Sequence, residues 1–164
     1  MVNALTEIEI NALNEALAGE YLAFATYNQV VADLGEVQPF SDIREAEIQR
    51  VDTLCALFVR YGLPVPDNQP ERAMHYASLQ EACEAGVTAE TTLGNMYQRL
   101  LDMSLRPDIL TMFRDFQEAS HQRHLTAFRC CAQRPALSGA GRGRGYHIGG
   151  GWDRRHENLR RDGG

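Results

Sequence analysis

Apolar side chains recur at Ile10, Leu13, Leu17, Tyr21, Phe24 and Val31, the spacing of a helix that buries one face. Thr6 stands where an N-cap belongs, Glu9 completes a capping box, and Leu5 with Ile10 forms a hydrophobic staple. Gly35 is a stop signal. The pattern predicts a first helix of about 28 residues, or about 42 Å. A second stripe runs through Ile43, Glu47, Arg50 or Val51, Leu54, Leu57 or Phe58, and Tyr61. It predicts a helix that opens near Pro39, a favoured first-turn residue, and ends at Tyr61-Gly62. The stretch GLPVPDNQP that follows cannot be helical.

A short helical piece is expected from Ser78, capped by Glu81, to Gly86. Thr88 then opens a third long helix with Leu93, Tyr97, Leu100 and Leu101. Arg106-Pro107 interrupts it. Pro107 opens a fourth, which runs to about Gln133 with Ile109, Met112, Phe113, Phe116, Leu125 and Phe128. The first and third connections are short and make antiparallel neighbours. The second takes about 26 residues, Gly62 to Val87, enough to cross the length of a bundle. Two hairpins joined by one long crossover is the ferritin-like arrangement of an all-α, antiparallel four-helix bundle. No strand pattern competes with it.

Composition divides the chain. It has 164 residues, with 16 cations, all Arg, against 22 acids and a net charge of −6. Residues 1–134 carry 10 Arg against 19 acids, whereas 135–164 carry 6 Arg against 3 acids and 9 of the 14 glycines. The expected organisation is an acidic helical domain, 1–134, followed by a basic Gly/Arg-rich tail, 135–164. The N-terminus has no cationic segment ahead of an apolar one, and the longest apolar run, Leu54 to Val59, is too short to span a bilayer. A cytoplasmic protein without membrane partners is therefore expected. Cys55, Cys83, Cys130 and Cys131 show no C-x-x-C spacing, which excludes zinc-ribbon and thioredoxin motifs and favours buried or idle thiols. Haem, flavin, P-loop and dinucleotide fingerprints are absent.

Polar residues interrupt the apolar stripes near the helix midpoints, placed at about residues 20, 50, 97 and 120. In an antiparallel bundle midpoints share one layer, so Glu20, Glu47, Arg50, Gln98, Glu118, His121 and His124 are candidates to meet there. Ionised carboxylates in an apolar core cost several kcal/mol unless compensated. Carboxylates and imidazoles in one layer suit iron, manganese or zinc. Di-iron bundles use one Glu from each of two helices and Glu-x-x-His from each of the other two.

The stretches GEYLAFATY around Glu20, REAEIQRVDTLCALFVRYGLPVP and SHQRHLTAF make the chain resemble the rubrerythrin-related branch of the ferritin-like superfamily. It is similar in particular to a prokaryotic ferritin-like domain family of unknown function. The resemblance covers roughly residues 6–133. It implies a buried metal site, chemistry of iron, oxygen or peroxide, and a dimer. It also implies departures. Glu47-Ile-Gln-Arg50 has Arg where the family's His would stand, and Gln98 aligns with the second lone Glu. The fourth helix offers Glu118-Ala-Ser-His121 or His121-Gln-Arg-His124, with His124 matching the family's histidine.

Charge then argues against a standard two-metal centre. Four carboxylates would balance two divalent ions, but Glu20, Glu47 and Glu118 offer −2 or −3 and Arg50 returns +1. The remainder suits one divalent ion or none. Two readings follow. In one, Glu20, Glu47, His121 and His124, with Glu118 as a further candidate, hold one ion, and Arg50 and Gln98 tune the site or stabilise a bound peroxide or anion. In the other, an Arg50–carboxylate network holds a metal-free scaffold together and the tail does the work. The tail, GAGRGRGYHIGGGWDRRHENLRRDGG, suits docking to a protein partner or shell, or weaker single-stranded nucleic-acid contact.

Overall fold

The Thr6 hydroxyl accepts the Glu9 N–H at 3.2 Å, and the Glu9 carboxylate accepts the Thr6 N–H at 2.8 Å. This reciprocal cap opens α1, Glu7–Leu34, in a computed structural model that describes residues 4–67 and 74–135. α2 is Phe40–Arg60, α3 Leu79–Leu101, α4 Pro107–Ala119 and α5 Leu125–Gln133. A π-helical turn, Ser120–His124, joins α4 to α5, so these three pieces make one rod and the described residues form four. No strand occurs among the described residues. Gly35 (φ 85°) and Gly62 (φ 69°) turn the chain out of α1 and α2 in the left-handed region that glycine enters without strain.

Two expectations need correction. The third rod does not begin at Thr88 after a separate piece. α3 starts at Leu79, capped by Ser78, and passes through Gly86 and Thr88 unbroken. Gly86 is not a stop. A Cβ there would lie 2.6 Å from the Phe128 ring, so this glycine lets two rods approach closely. The fourth rod is not one regular α-helix either. At the π-turn the Leu125 N–H bonds the Ser120 carbonyl five residues back.

Side-chain pairs set the direction of each rod. Along α1 and α2, Tyr27 meets Phe40 and Glu20 meets Arg50. Along α1 and α3, Tyr27 meets Glu90 and Glu20 meets Tyr97. Along α2 and the fourth rod, Phe40 meets Phe128, Arg50 meets Ser120 and Arg60 meets Asp108. Along α3 and the fourth rod, Cys83 meets Cys131 and Tyr97 meets Phe113. In every pair one number rises as the other falls, so these neighbours are antiparallel, and α2 and α3 point the same way. The 61–78 connection must therefore travel the length of the rods. At one end Tyr61 donates to Asp108 at 2.5 Å. At the other the Tyr76 N–H donates to Asp33, at the end of α1, at 2.9 Å.

Two aromatic clusters fill the core, Tyr27–Phe40–Phe128 and Tyr97–Phe113–Phe116, with a polar layer between them. Burying each of the five fully enclosed rings, Tyr27, Phe40, Phe128, Tyr97 and Phe113, contributes about 2–3 kcal/mol or less, and together they clamp the layer from both sides. The expectation of idle thiols is also corrected. Cys83 and Cys131 form a disulfide between α3 and α5 with Cα atoms 5.8 Å apart, while Cys55 and Cys130 are free. Among the described residues, no helix is long and apolar enough to cross a membrane. Residues 136–164 lie outside the described residues, and the readings placed on the tail lie there with them.

Candidate metal centre

Helical periodicity turns Glu20 of α1, Glu47 and Arg50 of α2, and Glu90 of α3 inward at one level. The π-turn supplies Ser120 and His124. The three glutamates are fully buried, Arg50 is 5% exposed and His124 7%. Arg50 Nη1 lies 3.4 Å from Glu47, 3.5 Å from Glu20 Oε1 and donates to Ser120 Oγ at 3.1 Å. The guanidinium also sits over the Phe116 ring, 5.3 Å from its centre. His124 Nδ1 lies 3.0 Å from Glu47 Oε1 and 3.4 Å from Glu90 Oε1.

Two buried tyrosines cross the layer. Tyr27 of α1 donates to Glu90 of α3 at 2.7 Å, and Tyr97 of α3 donates to Glu20 of α1. Each tyrosine follows its own helix's glutamate by seven residues, two helical turns, and serves the glutamate of the facing helix. Glu20-x6-Tyr27 and Glu90-x6-Tyr97 are thus one device used twice.

The electrostatics follow from burial. Desolvation, then the neighbouring Glu47, pushes Glu20 well above the ordinary carboxylate range, and Arg50 and Tyr97 offset only part of this. Desolvation also raises Glu47. Its hydrogen bonding with Glu20 and the charge of Arg50 pull it back, and Glu90 pushes it up again. Burial alone would lower Arg50, but Glu47, Glu20 and Glu90 outweigh it and the guanidinium ends more firmly protonated. Burial first, then the glutamate each one serves, raises Tyr27 and Tyr97 well above an ordinary phenol. Three carboxylates and one guanidinium leave −2 when all are ionised, the charge of one divalent cation.

Glu47, Glu90 and His124 offer ligand atoms that all lie within 4.8 Å of one another. Glu47 Oε1, Glu90 Oε2 and His124 Nδ1 are buried and have no hydrogen-bond partner, and the same holds for Glu20 Oε2 and Arg50 Nη2. Unsatisfied buried acceptors are costly, so donor atoms facing one another from three elements fit a cation. A surface groove of about 550 Å3 between α2 and the fourth rod is lined in part by Arg50 and His124 and gives the layer a side facing solvent.

Glu20, Glu47, Arg50 and His124 lie in the layer, as their spacing implies. Gln98, Glu118 and His121 do not. Gln98 is exposed and accepts from Gln117 at 2.9 Å. Glu118 is exposed on α4. His121 is exposed and lies over the backbone of α3, where a Cβ on Gly94 would meet its Nε2 at 1.9 Å. The π-turn separates the two histidines, because a wider turn no longer places residues three apart on one face. Glu90 is the residue that sequence reasoning missed. Starting the third helix at Thr88 shifted its midpoint by about two turns, onto Gln98, whereas Glu90 sits at the midpoint of Leu79–Leu101. The repeated Glu-x6-Tyr spacing was the signal that marks it.

No family model matches the chain, and no curated protein matches it. Solved structures do. The hypothetical protein MJ0754 from Methanococcus jannaschii aligns with a TM-score of 0.71 at 20% identity, over 80% of this chain and 83% of that one. The conserved hypothetical protein rv2844 from Mycobacterium tuberculosis aligns with a TM-score of 0.65 at 18% identity, over 77% of this chain and 98% of that one. At these identities the likeness is one of fold.

Proposed function

We propose that this chain is a ferritin-like metal-binding protein in which Glu47, Glu90 and His124 hold one divalent transition-metal ion. Arg50 occupies the place where a second ion's histidine would stand. The observation that carries this reading is that Glu47, Glu90 and His124, buried on three elements, offer ligand atoms within 4.8 Å of one another, with His124 Nδ1 3.0 Å from Glu47 Oε1 and 3.4 Å from Glu90 Oε1. Two carboxylates and one imidazole suit iron, manganese or zinc. The ferritin-like reading is supported by buried lone glutamates, Glu20 and Glu90, on α1 and α3, by Glu47 on α2 and by His124 on the fourth rod.

Iron or manganese held there would supply redox chemistry with oxygen or peroxide. The chain's own groups prepare the place for it. Tyr27 holds one oxygen of Glu90 and leaves Oε2 free. Arg50 and Tyr97 hold Glu20, so that carboxyl is committed to the guanidinium side of the layer. Arg50 supplies a permanent positive charge that cannot dissociate. In this reading the protein works in the cytoplasm as a dimer.

A second reading keeps one observation of its own. Arg50 already pairs with both Glu20 and Glu47, so the layer is partly compensated without a metal. The chain is then a metal-free scaffold, and residues 135–164 engage a protein partner, a shell or nucleic acid. Elemental mass spectrometry on protein purified without chelators or a histidine tag separates the two. One iron, manganese or zinc ion per chain, lost in Glu90→Ala, supports the metal centre. Metal-free protein that also takes up none on titration overturns it.

A further inference from the structure

The two elements that carry Glu90 and His124 are joined by the Cys83–Cys131 disulfide, and its position relative to the ligands is regular. Glu90 lies seven residues after Cys83 on α3, and His124 lies seven residues before Cys131 on the fourth rod. Because these rods are antiparallel, the disulfide sits two turns from both ligands on the same side, about 10 Å along the axis. Between them Gly86 receives the Phe128 ring at a distance that leaves no room for a side chain. Beyond the ligands Gly94 receives His121 in the same way. The spacing of α3 from the fourth rod on the disulfide side of the ligands is therefore set by the buried Gly86–Phe128 contact and by one covalent bond.

The far half of the fourth rod is its short part. α5 has nine residues and follows the π-turn, a stretch where the regular helical hydrogen-bond ladder is interrupted. His124 is the last residue of that turn. A hinge thus holds the ligand, and a latch closes the arm beyond it. We propose that the Cys83–Cys131 disulfide is a redox latch on the metal centre, tightening the site when oxidised and loosening it when reduced. This rests on the reading of Glu47, Glu90 and His124 as ligands.

The opening step needs a dithiol reductant. Its thiolate attacks Cys131 Sγ, on the less completely enclosed of the two buried residues, 5% exposed against 0% for Cys83. The Sγ–Sγ bond breaks and Cys83 leaves as a thiolate that takes up a proton. The reductant's second thiol then attacks its own sulfur in the mixed disulfide and frees the Cys131 thiol. Two electrons and two protons pass to the protein, and the reductant leaves as a disulfide. α5 is then held by packing alone and pivots about the π-turn, which displaces His124 from Glu47 and Glu90.

The test uses the full chain with Mn2+ as probe, because manganese does not favour the freed thiols. Manganese binding is measured by electron paramagnetic resonance on oxidised protein, on protein reduced with dithiothreitol and then desalted under argon, and on the paired variant Cys83→Ala with Cys131→Ala. Amide hydrogen exchange is followed over residues 120–133 in all three. The expected result is affinity about tenfold or more weaker in the reduced and variant forms, the scale of lost support around a ligand. Faster exchange confined to the π-turn and α5 should accompany it. Equal affinities, or unchanged exchange on reduction, overturn the latch. Manganese binding in none of the forms, with exchange still raised by reduction, removes the metal centre but leaves the hinge. If the paired variant does not fold, the reduced wild-type chain carries the comparison alone.

Discussion

The α1–α2 half of the polar layer and the α3–fourth-rod half have the same plan and different contents. Each half gives a lone glutamate, Glu20 or Glu90, and a tyrosine that reaches across to the other half's glutamate. The first half adds Glu47 with Arg50 three residues on, and the second adds His124, whose counterpart three residues back, His121, lies outside the layer. In the first half a permanent cation sits among Glu20, Glu47 and Ser120. In the second an imidazole nitrogen faces Glu47 at 3.0 Å and Glu90 at 3.4 Å. Buried carboxylates need a positive partner, and the chain meets that need covalently in one half and leaves it open in the other. The halves differ in that the first holds two carboxylates with Arg50 and the second holds one carboxylate with His124.

Making the halves alike should have the largest effect, because it changes the stoichiometry. Arg50→His removes the built-in cation and restores an imidazole, and elemental analysis should then find two ions per chain instead of one. A single ion would show that the first half lacks more than a histidine. Removing the glutamate that both halves share comes next. Glu47→Ala deprives Arg50 of one of its carboxylates and His124 of its nearest one, and should destabilise the metal-free fold by about 3–5 kcal/mol in urea denaturation. Glu118→Ala, on the exposed face of α4, should change it by less than about 0.5 kcal/mol. Equal effects would move the layer to a different place.

The two tyrosines separate the halves more finely. Tyr27→Phe and Tyr97→Phe each withdraw a donor from a buried carboxylate, and each should cost about 1–3 kcal/mol. Only Tyr27→Phe, which unties Glu90, should also change metal affinity. A contact far from the layer joins α1 to the start of α4 and leaves the metal site untouched. Arg106, through its bonds to Glu9, holds that carboxyl down to about 2. A depressed carboxyl stabilises the fold above its unfolded value, and the contribution is lost as pH falls from about 4.5 towards 2. Glu9→Gln should therefore be less stable at neutral pH and show a flatter acid limb over that range in thermal melts. An unchanged limb would place the acid sensitivity in the layer itself.

Much of this was legible in the residues. Thr6, Glu9 and Gly35 mark the ends of α1 because caps act within a few residues of themselves. Glu20, Glu47, Arg50 and His124 were recognisable because each breaks an apolar stripe on its own helix. Glu90 was not, since its level depends on where α3 begins, and Gly86 gave a false stop. That glycine answers to Phe128, which lies 42 positions away in the chain. His121 and His124 looked equivalent because a straight helix would make them so, and the π-turn that separates them has no local signature.

Sequence by itself determined the helical rods, the long crossover and the excess of acid over base in the layer. These depend on periodicity, capping and composition, which act over short range. Tertiary structure alone decided that Glu90 completes the layer, that His121 stays outside it, and that Cys83 reaches Cys131. Each of those depends on the rotation and spacing of one rod against another. That geometry is set by side chains far apart in the chain, the disulfide pair by 48 positions.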